Sequence, residues 1–120
     1  MLGLENVIDL VKSDFYSKKF SDPCYDFFYS SPLAHLISLE IASSTYSNQS
    51  MSYEDLCKKM PSKLGCRSTI YSTLNTAVRK GFFTKQFSKK DRRVRSYCLS
   101  ENYSLMLTKW YLDQKKYFSN

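Results

Sequence analysis

The chain has 120 residues, 42 % of them apolar and 24 % charged, which excludes a disordered or fibrous chain and suits one soluble domain around a single core. No apolar run approaches the roughly 18 residues that a membrane span needs, and Glu5 and Asp9 interrupt the N-terminal apolar pattern that a secretion signal would keep intact; the expected location is cytoplasmic. The net charge is +7 and unevenly spread: twelve basic residues between Lys58 and Arg95 face one acid, Asp91, a segment net of +11 that leaves −4 for the remainder. A basic middle in an otherwise acidic chain points to a polyanion-binding face, the alternative being an ordinary solvated lysine-rich surface.

The first predicted helix covers residues 4 to 16, where Leu4, Val7, Ile8, Val11 and Phe15 recur at helical spacing. Ser21, Asp22 and Pro23 break it, and Cys24 to Tyr29 is too short and aromatic-rich to assign. A second helix starts at Ser31 and Pro32, a capping serine followed by a residue suited to the first helical position, and ends near Thr45 with Leu33, Leu36, Ile37, Ile41 and Ala42 inward. The third runs from Ser52 to about Met60. Ser52 and Asp55 have capping-box spacing and Met51 and Leu56 the spacing of a hydrophobic staple, while Pro61 stops the helix.

Gly65 marks a turn, and a fourth helix spans about 67–80 with Ile70, Leu74, Ala77 and Val78 inward and Gly81 as its left-handed stop. Phe82 to Ser88 and Val94 to Leu99 read as strands joined by the charged tip Lys89-Lys90-Asp91-Arg92-Arg93. A last helix starts at Ser100 and Glu101 and runs to about Phe118. The expected class is mainly α with a small β-hairpin wing (α+β). The element order is that of a winged helix-turn-helix, in which the helix after the turn enters the major groove and the hairpin flanks it. One domain covers 1–120: an N-terminal helix and irregular link at 1–29, the winged core at 30–99 and a C-terminal helix at 100–120.

The outward face of the fourth helix carries Arg67, Ser68, Tyr71, Ser72, Asn75 and Arg79, with no acid among them. Hydroxyls, an amide and cations can donate to phosphates or to base edges; the alternative is a face that simply meets water. Lys89, Lys90, Arg92, Arg93 and Arg95 crowd the hairpin, where like charges repel unless a phosphate row or a narrow minor groove rewards them. Asp91 can hold Arg93 across the turn and aim it.

The wing residues Asp91-x-Arg93, followed by Leu99-Ser100, resemble the signature of the MarR family of transcriptional regulators, and the small basic SarA-type members are similar in size. Ser68-Thr69-Ile70 and Val78-Arg79-Lys80-Gly81-Phe82-Phe83 look like that family's recognition helix and its exit. The resemblance covers residues 30 to 118. It implies double-stranded DNA as partner, Arg93 in the minor groove, and a homodimer formed through the N- and C-terminal helices. The expected DNA-binding set is Arg67, Ser68, Thr69, Tyr71, Ser72, Asn75, Arg79, Lys85, Lys89, Lys90, Arg92, Arg93 and Arg95. The family also allows a pocket for a small aromatic effector, although core packing explains the aromatic residues equally well. From Leu56 to Thr69 the chain is a few residues longer than the family spacing, and Cys66 stands where a capping serine is common.

The residues themselves support a dimer. The first helix exposes an apolar stripe, and the last is apolar on nearly every side (Tyr103, Leu105, Met106, Leu107, Trp110, Tyr111, Leu112, Tyr117, Phe118), more than a small domain can cover alone.

Four cysteines at 24, 57, 66 and 98 lack zinc-site spacing and read as reduced thiols. Cys66, at the start of the fourth helix, is the exception: a helix dipole there would lower its pKa, and its oxidation would alter DNA binding. His35 is the single histidine and the three glycines are isolated, so no catalytic constellation, metal site or cofactor is expected. The rival readings are a winged-helix module docking an acidic protein partner, a non-specific nucleic-acid binder, or a binder of RNA or single strands, for which only Tyr71 and Phe87 could serve as stacking rings.

Overall fold

A computed structural model describes residues 3–16, 22–87 and 92–117, apart from the side chains of residues 14 and 117. The described elements are α1 (Leu4–Tyr16), α2 (Pro23–Phe28), α3 (Pro32–Tyr46), α4 (Tyr53–Lys59), a 3-10 turn at Ser62–Leu64, α5 (Arg67–Arg79), β1 (Phe83–Phe87), β2 (Arg95–Leu99) and α6 (Glu101–Tyr117). The expected winged helix-turn-helix order is present. The tip residues Lys89, Lys90 and Asp91 lie outside the described residues.

The unassigned stretch is a six-residue helix, α2. Asp22 caps it by accepting from the Cys24 N–H at 2.9 Å, and Pro23 opens its first turn. Ser31 caps α3 in the same way, accepting from the Ala34 N–H at 3.0 Å. On α4 the capping box is complete: Ser52 Oγ accepts from the Asp55 N–H at 3.1 Å and Asp55 Oδ2 accepts from the Ser52 N–H at 3.0 Å. The two staple residues, Met51 and Leu56, are both buried.

The turn between α4 and α5 sets the angle of α5. Leu64 N–H donates to the Pro61 carbonyl at 3.0 Å, closing the 3-10 turn that takes up the extra residues. Gly65 then passes close to the core: a Cβ there would lie 2.8 Å from Leu33 Cδ2. At the other end of α5, Gly81 takes φ +80°; its N–H reaches the Val78 carbonyl (3.1 Å) while the Phe82 N–H reaches that of Ala77 (2.8 Å). That pair of bonds is a Schellman stop, and it turns the chain straight into β1.

β1 and β2 pair antiparallel with Phe83 opposite Leu99, Lys85 opposite Tyr97 and Phe87 opposite Arg95. The hairpin is tied back to the core where the Tyr97 N–H donates to the Met51 carbonyl (2.8 Å) and the Leu99 N–H to Thr45 Oγ1 (3.2 Å). Beneath it, α2, α3, α5 and α6 meet around Phe28, Ile37, Ile41, Leu56, Leu74, Phe83 and Tyr103, all buried. Ser38 and Tyr103 share a buried hydroxyl hydrogen bond of 2.7 Å between α3 and α6, which satisfies two polar groups that would otherwise be costly to bury. His35 is a packing residue: its ring lies 4.1 Å from that of Phe28 and its Nδ1 is 2.9 Å from the Phe28 carbonyl.

Among the described residues, apolar side chains are exposed on α1 and on α6. On α1, Leu4, Ile8, Val11 and Phe15 are exposed, with Phe15 edge-on to Tyr29 at 6.1 Å. On α6, Tyr103, Met106 and Leu107 are buried but Leu105, Tyr111 and Leu112 are at least half exposed. The last helix is therefore apolar on two faces, of which the domain covers one. No helix among the described residues is long and apolar enough to cross a membrane.

Candidate nucleic-acid interface

α5 has an inward stripe and an outward one. Ile70, Leu74 and Ala77 are buried, while Arg67, Ser68, Thr69, Tyr71, Ser72 and Arg79 are exposed and Asn75 is half-buried. Asn75 therefore offers less of its amide than the helical wheel predicts. Thr69 shares its turn with Ser68, and its backbone carbonyl accepts from Thr73 Oγ1 at 2.8 Å.

Arg67 is the residue whose surroundings the sequence least foretold. Its guanidinium donates to Glu54 Oε1 from α4. It also lies over the Tyr53 ring, 5.3 Å from the centroid, and Tyr53 Oη donates to the Arg67 carbonyl at 3.1 Å. Tyr71 meets the Tyr53 ring edge-on at 5.6 Å. The face of α5 is free of acids in its own sequence, as expected, but α4 brings one to its N-terminal end. Tyr53 and Glu54 read only as first-turn residues of a helix; their partner is 14 and 13 residues on, across a turn of irregular length.

Cys66 stands at the N-cap position of α5, exposed and without a side-chain capping bond, its Sγ 3.1 Å from Ser68 Oγ and 3.3 Å from Thr69 Oγ1. These hydroxyls, with the Thr69 and Ser68 backbone N–H groups at the helix start adding to them, pull its pKa down to about 6 by stabilising the thiolate. Cys24 goes the other way. Burial, reinforced by Asp22, pushes it up to about 11.

On the hairpin, Lys85 is exposed with its Nζ 5.8 Å from the Tyr97 ring centroid, and Arg95 lies 4.0 Å over the exposed Phe87 ring. Arg92 and Arg93 sit exposed in the turn leading into β2. The predicted hold of Asp91 on Arg93, and the positions of Lys89 and Lys90, fall outside the described residues. Of the cations predicted for the interface, then, Arg67 and Arg79 lie on α5, Lys85 and Arg95 on the strands, and Arg92 and Arg93 at the base of the tip.

An open apolar groove of about 290 Å³ runs between α3 and α6, bordered by Leu39, Tyr46, Leu107, Trp110 and Tyr111. It lies at a distance in sequence from every predicted DNA-binding residue.

No family model matches the sequence, and no curated protein matches it. Among solved structures, the heme sensor protein PefR in complex with heme and carbon monoxide superposes with a TM-score of 0.52 at 16 % identity, over 90 % of this chain and 75 % of that one. The transcriptional regulator PA4135 superposes with a TM-score of 0.50 at 15 % identity, over 98 % of this chain and 80 % of that one. The fold of this chain is accordingly that of a winged helix, mostly helical with a two-stranded antiparallel hairpin, as the order of its elements led one to expect.

Proposed function

We propose that the protein binds double-stranded DNA as a homodimeric transcriptional regulator, with α5 in the major groove and the wing, residues 88–95, at the minor groove. The observation that carries this reading is the pairing of two exposed surfaces: the outward face of α5, with hydroxyls and cations and no acid of its own, and the arginine-bearing hairpin that follows it. Ser68, Thr69, Tyr71, Ser72 and Asn75 supply groove contacts. Arg79, Lys85, Lys89, Lys90, Arg92 and Arg95 supply phosphate contacts, Arg67 meets the DNA at the start of α5, and Arg93, oriented by Asp91, enters the minor groove. The apolar stripes of α1 and α6 close an isologous dimer that presents two copies of α5 to a near-palindromic site. The protein acts by binding, not by catalysis. The apolar groove beside Trp110 is the place to look for a small aromatic effector, and Cys66 the place for redox control, which peroxide-insensitive DNA binding would remove.

The test is a salt titration of binding to random duplexes, followed by selection and sequencing of the tightest binders. A near-palindromic motif with affinity falling steeply as salt rises supports the regulator. Binding without sequence preference favours a non-specific coat. Absence of binding turns the basic face toward acidic protein partners.

A further inference from the structure

The DNA-binding surface proposed above has a carboxylate built into it. Glu54 reaches the guanidinium of Arg67 across the α4–α5 turn, and both side chains are 59 % exposed. An ion pair this open adds little to folding stability, so stability gives no strong reason for it. It is nonetheless well organised: the Tyr53 ring lies beneath the guanidinium, Tyr53 Oη bonds to the Arg67 backbone, and Tyr71 packs edge-on against Tyr53. The carboxylate takes one end of the Arg67 guanidinium, through Nη2, and competes there with a DNA phosphate, since both anions accept from guanidinium N–H groups.

We infer that Glu54 is a specificity-determining residue that keeps Arg67 from non-specific phosphate contact. The inference rests on the DNA-binding reading. On random duplex, phosphate attraction supplies nearly all the affinity, and Arg67 can join it in full only by giving up Glu54, and in either case brings that carboxylate close to the polyanion. At the preferred site the groove contacts of α5 provide binding that random sequence lacks, and they carry the complex without Arg67 on a phosphate. The pair thus weakens the background more than the target, and discrimination is the difference between the two.

The experiment is a salt titration of wild type, Glu54→Gln, Arg67→Ala and the double variant on random duplex and on the tightest duplex from selection. Thermal unfolding of each variant shows that it is folded. Glu54→Gln is expected to tighten random-duplex binding several-fold and to steepen the log–log salt slope by about 0.9, one added phosphate contact. It leaves the selected site within about twofold, so that the specificity ratio falls, the charge change acting mainly on the sequence-independent term. In the Arg67→Ala background the same substitution has no such effect. Unchanged random-duplex binding by Glu54→Gln overturns the inference while leaving DNA binding standing. An equal gain with and without Arg67 also overturns it, because the carboxylate would then act as a general repulsive charge. A wild type that binds neither duplex overturns both readings together.

Discussion

The outer faces of α5 and α6 make an instructive pair. Both helices bury an inner stripe in the same core, Ile70, Leu74 and Ala77 on one and Tyr103, Met106 and Leu107 on the other. Folding asks the same of each, so the inner stripes look alike. Their outer faces do not: α5 shows Arg67, Ser68, Ser72 and Arg79, and α6 shows Leu105, Tyr111 and Leu112. An outward residue is not selected by its own core, and so it reports what the domain meets. On the function proposed, one face meets a polyanion and the other an apolar surface, and the two should respond to salt in opposite directions. Attraction to phosphates is lost as counterions compete, whereas apolar association is insensitive to simple screening and strengthened by excluded salts such as sulfate.

The largest effect tests the division into inner and outer stripes. Leu74 is fully buried, and Leu74→Ala should destabilise the fold by about 2–5 kcal/mol in denaturant unfolding. Ser72→Ala, on the outer face of the same helix, should stay within about 0.5 kcal/mol. If the two variants unfold alike, α5 is not packed as described.

Next comes the apolar face. An isologous interface counts each substitution twice. Leu105 is 59 % exposed in the single chain. Leu105→Ser should therefore weaken self-association by about 2–4 kcal/mol, given about 1.5–3 kcal/mol for burying a whole leucine side chain. Sedimentation equilibrium reads the shift directly, and a monomer stable at all concentrations in the wild type would remove the dimer. Smaller again is the basic face: Arg93→Ala should cost about 1–3 kcal/mol at the preferred site and flatten the salt slope by about 0.9 if a phosphate contact goes with it. A loss of only a few tenths of a kcal/mol would end the minor-groove role of Arg93.

Much of the fold could be read locally because its signals are local. The capping box at Ser52 and Asp55, the proline after Ser31 and the glycine at 81 each act within one turn of chain, and each stands where its chemistry predicts. α2 escaped because six residues are too few to show a helical period, and its aromatic content suits a strand as well as a buried helix. The outward residues of α5 were legible from periodicity. The Glu54–Arg67 pair was not, since it depends on how the Ser62–Leu64 turn and Gly65 bring two helix starts together. Likewise the Arg95–Phe87 stack needed the strand register before it could be seen.

The last contrast is between two thiols, and it is the finest test of the outer face. Cys24 is buried and held up at about 11, first by burial and then by Asp22. Cys66 lies open among the Ser68 and Thr69 hydroxyls and is brought down to about 6. Alkylation by iodoacetamide, followed cysteine by cysteine by mass spectrometry, should therefore reach half its limiting rate near pH 6 at Cys66 and stay negligible at Cys24 until well into alkaline pH, because the thiolate is the nucleophile. Ser68→Ala removes the first of the stabilising hydroxyls, so the Cys66 midpoint should move up toward the ordinary thiol range, while Ser72→Ala on the same face should leave it in place. The sign of the coupling to folding follows. A thiol whose folded pKa is depressed favours the fold fully above its unfolded value, near 8.5 for an ordinary cysteine, and the contribution fades as pH falls through about 6. Equal reactivity of the two cysteines across the range would mean that the hydroxyls around Cys66 do not hold the thiolate, and that the start of α5 is less ordered than its bonds to Ser68 and Thr69 require.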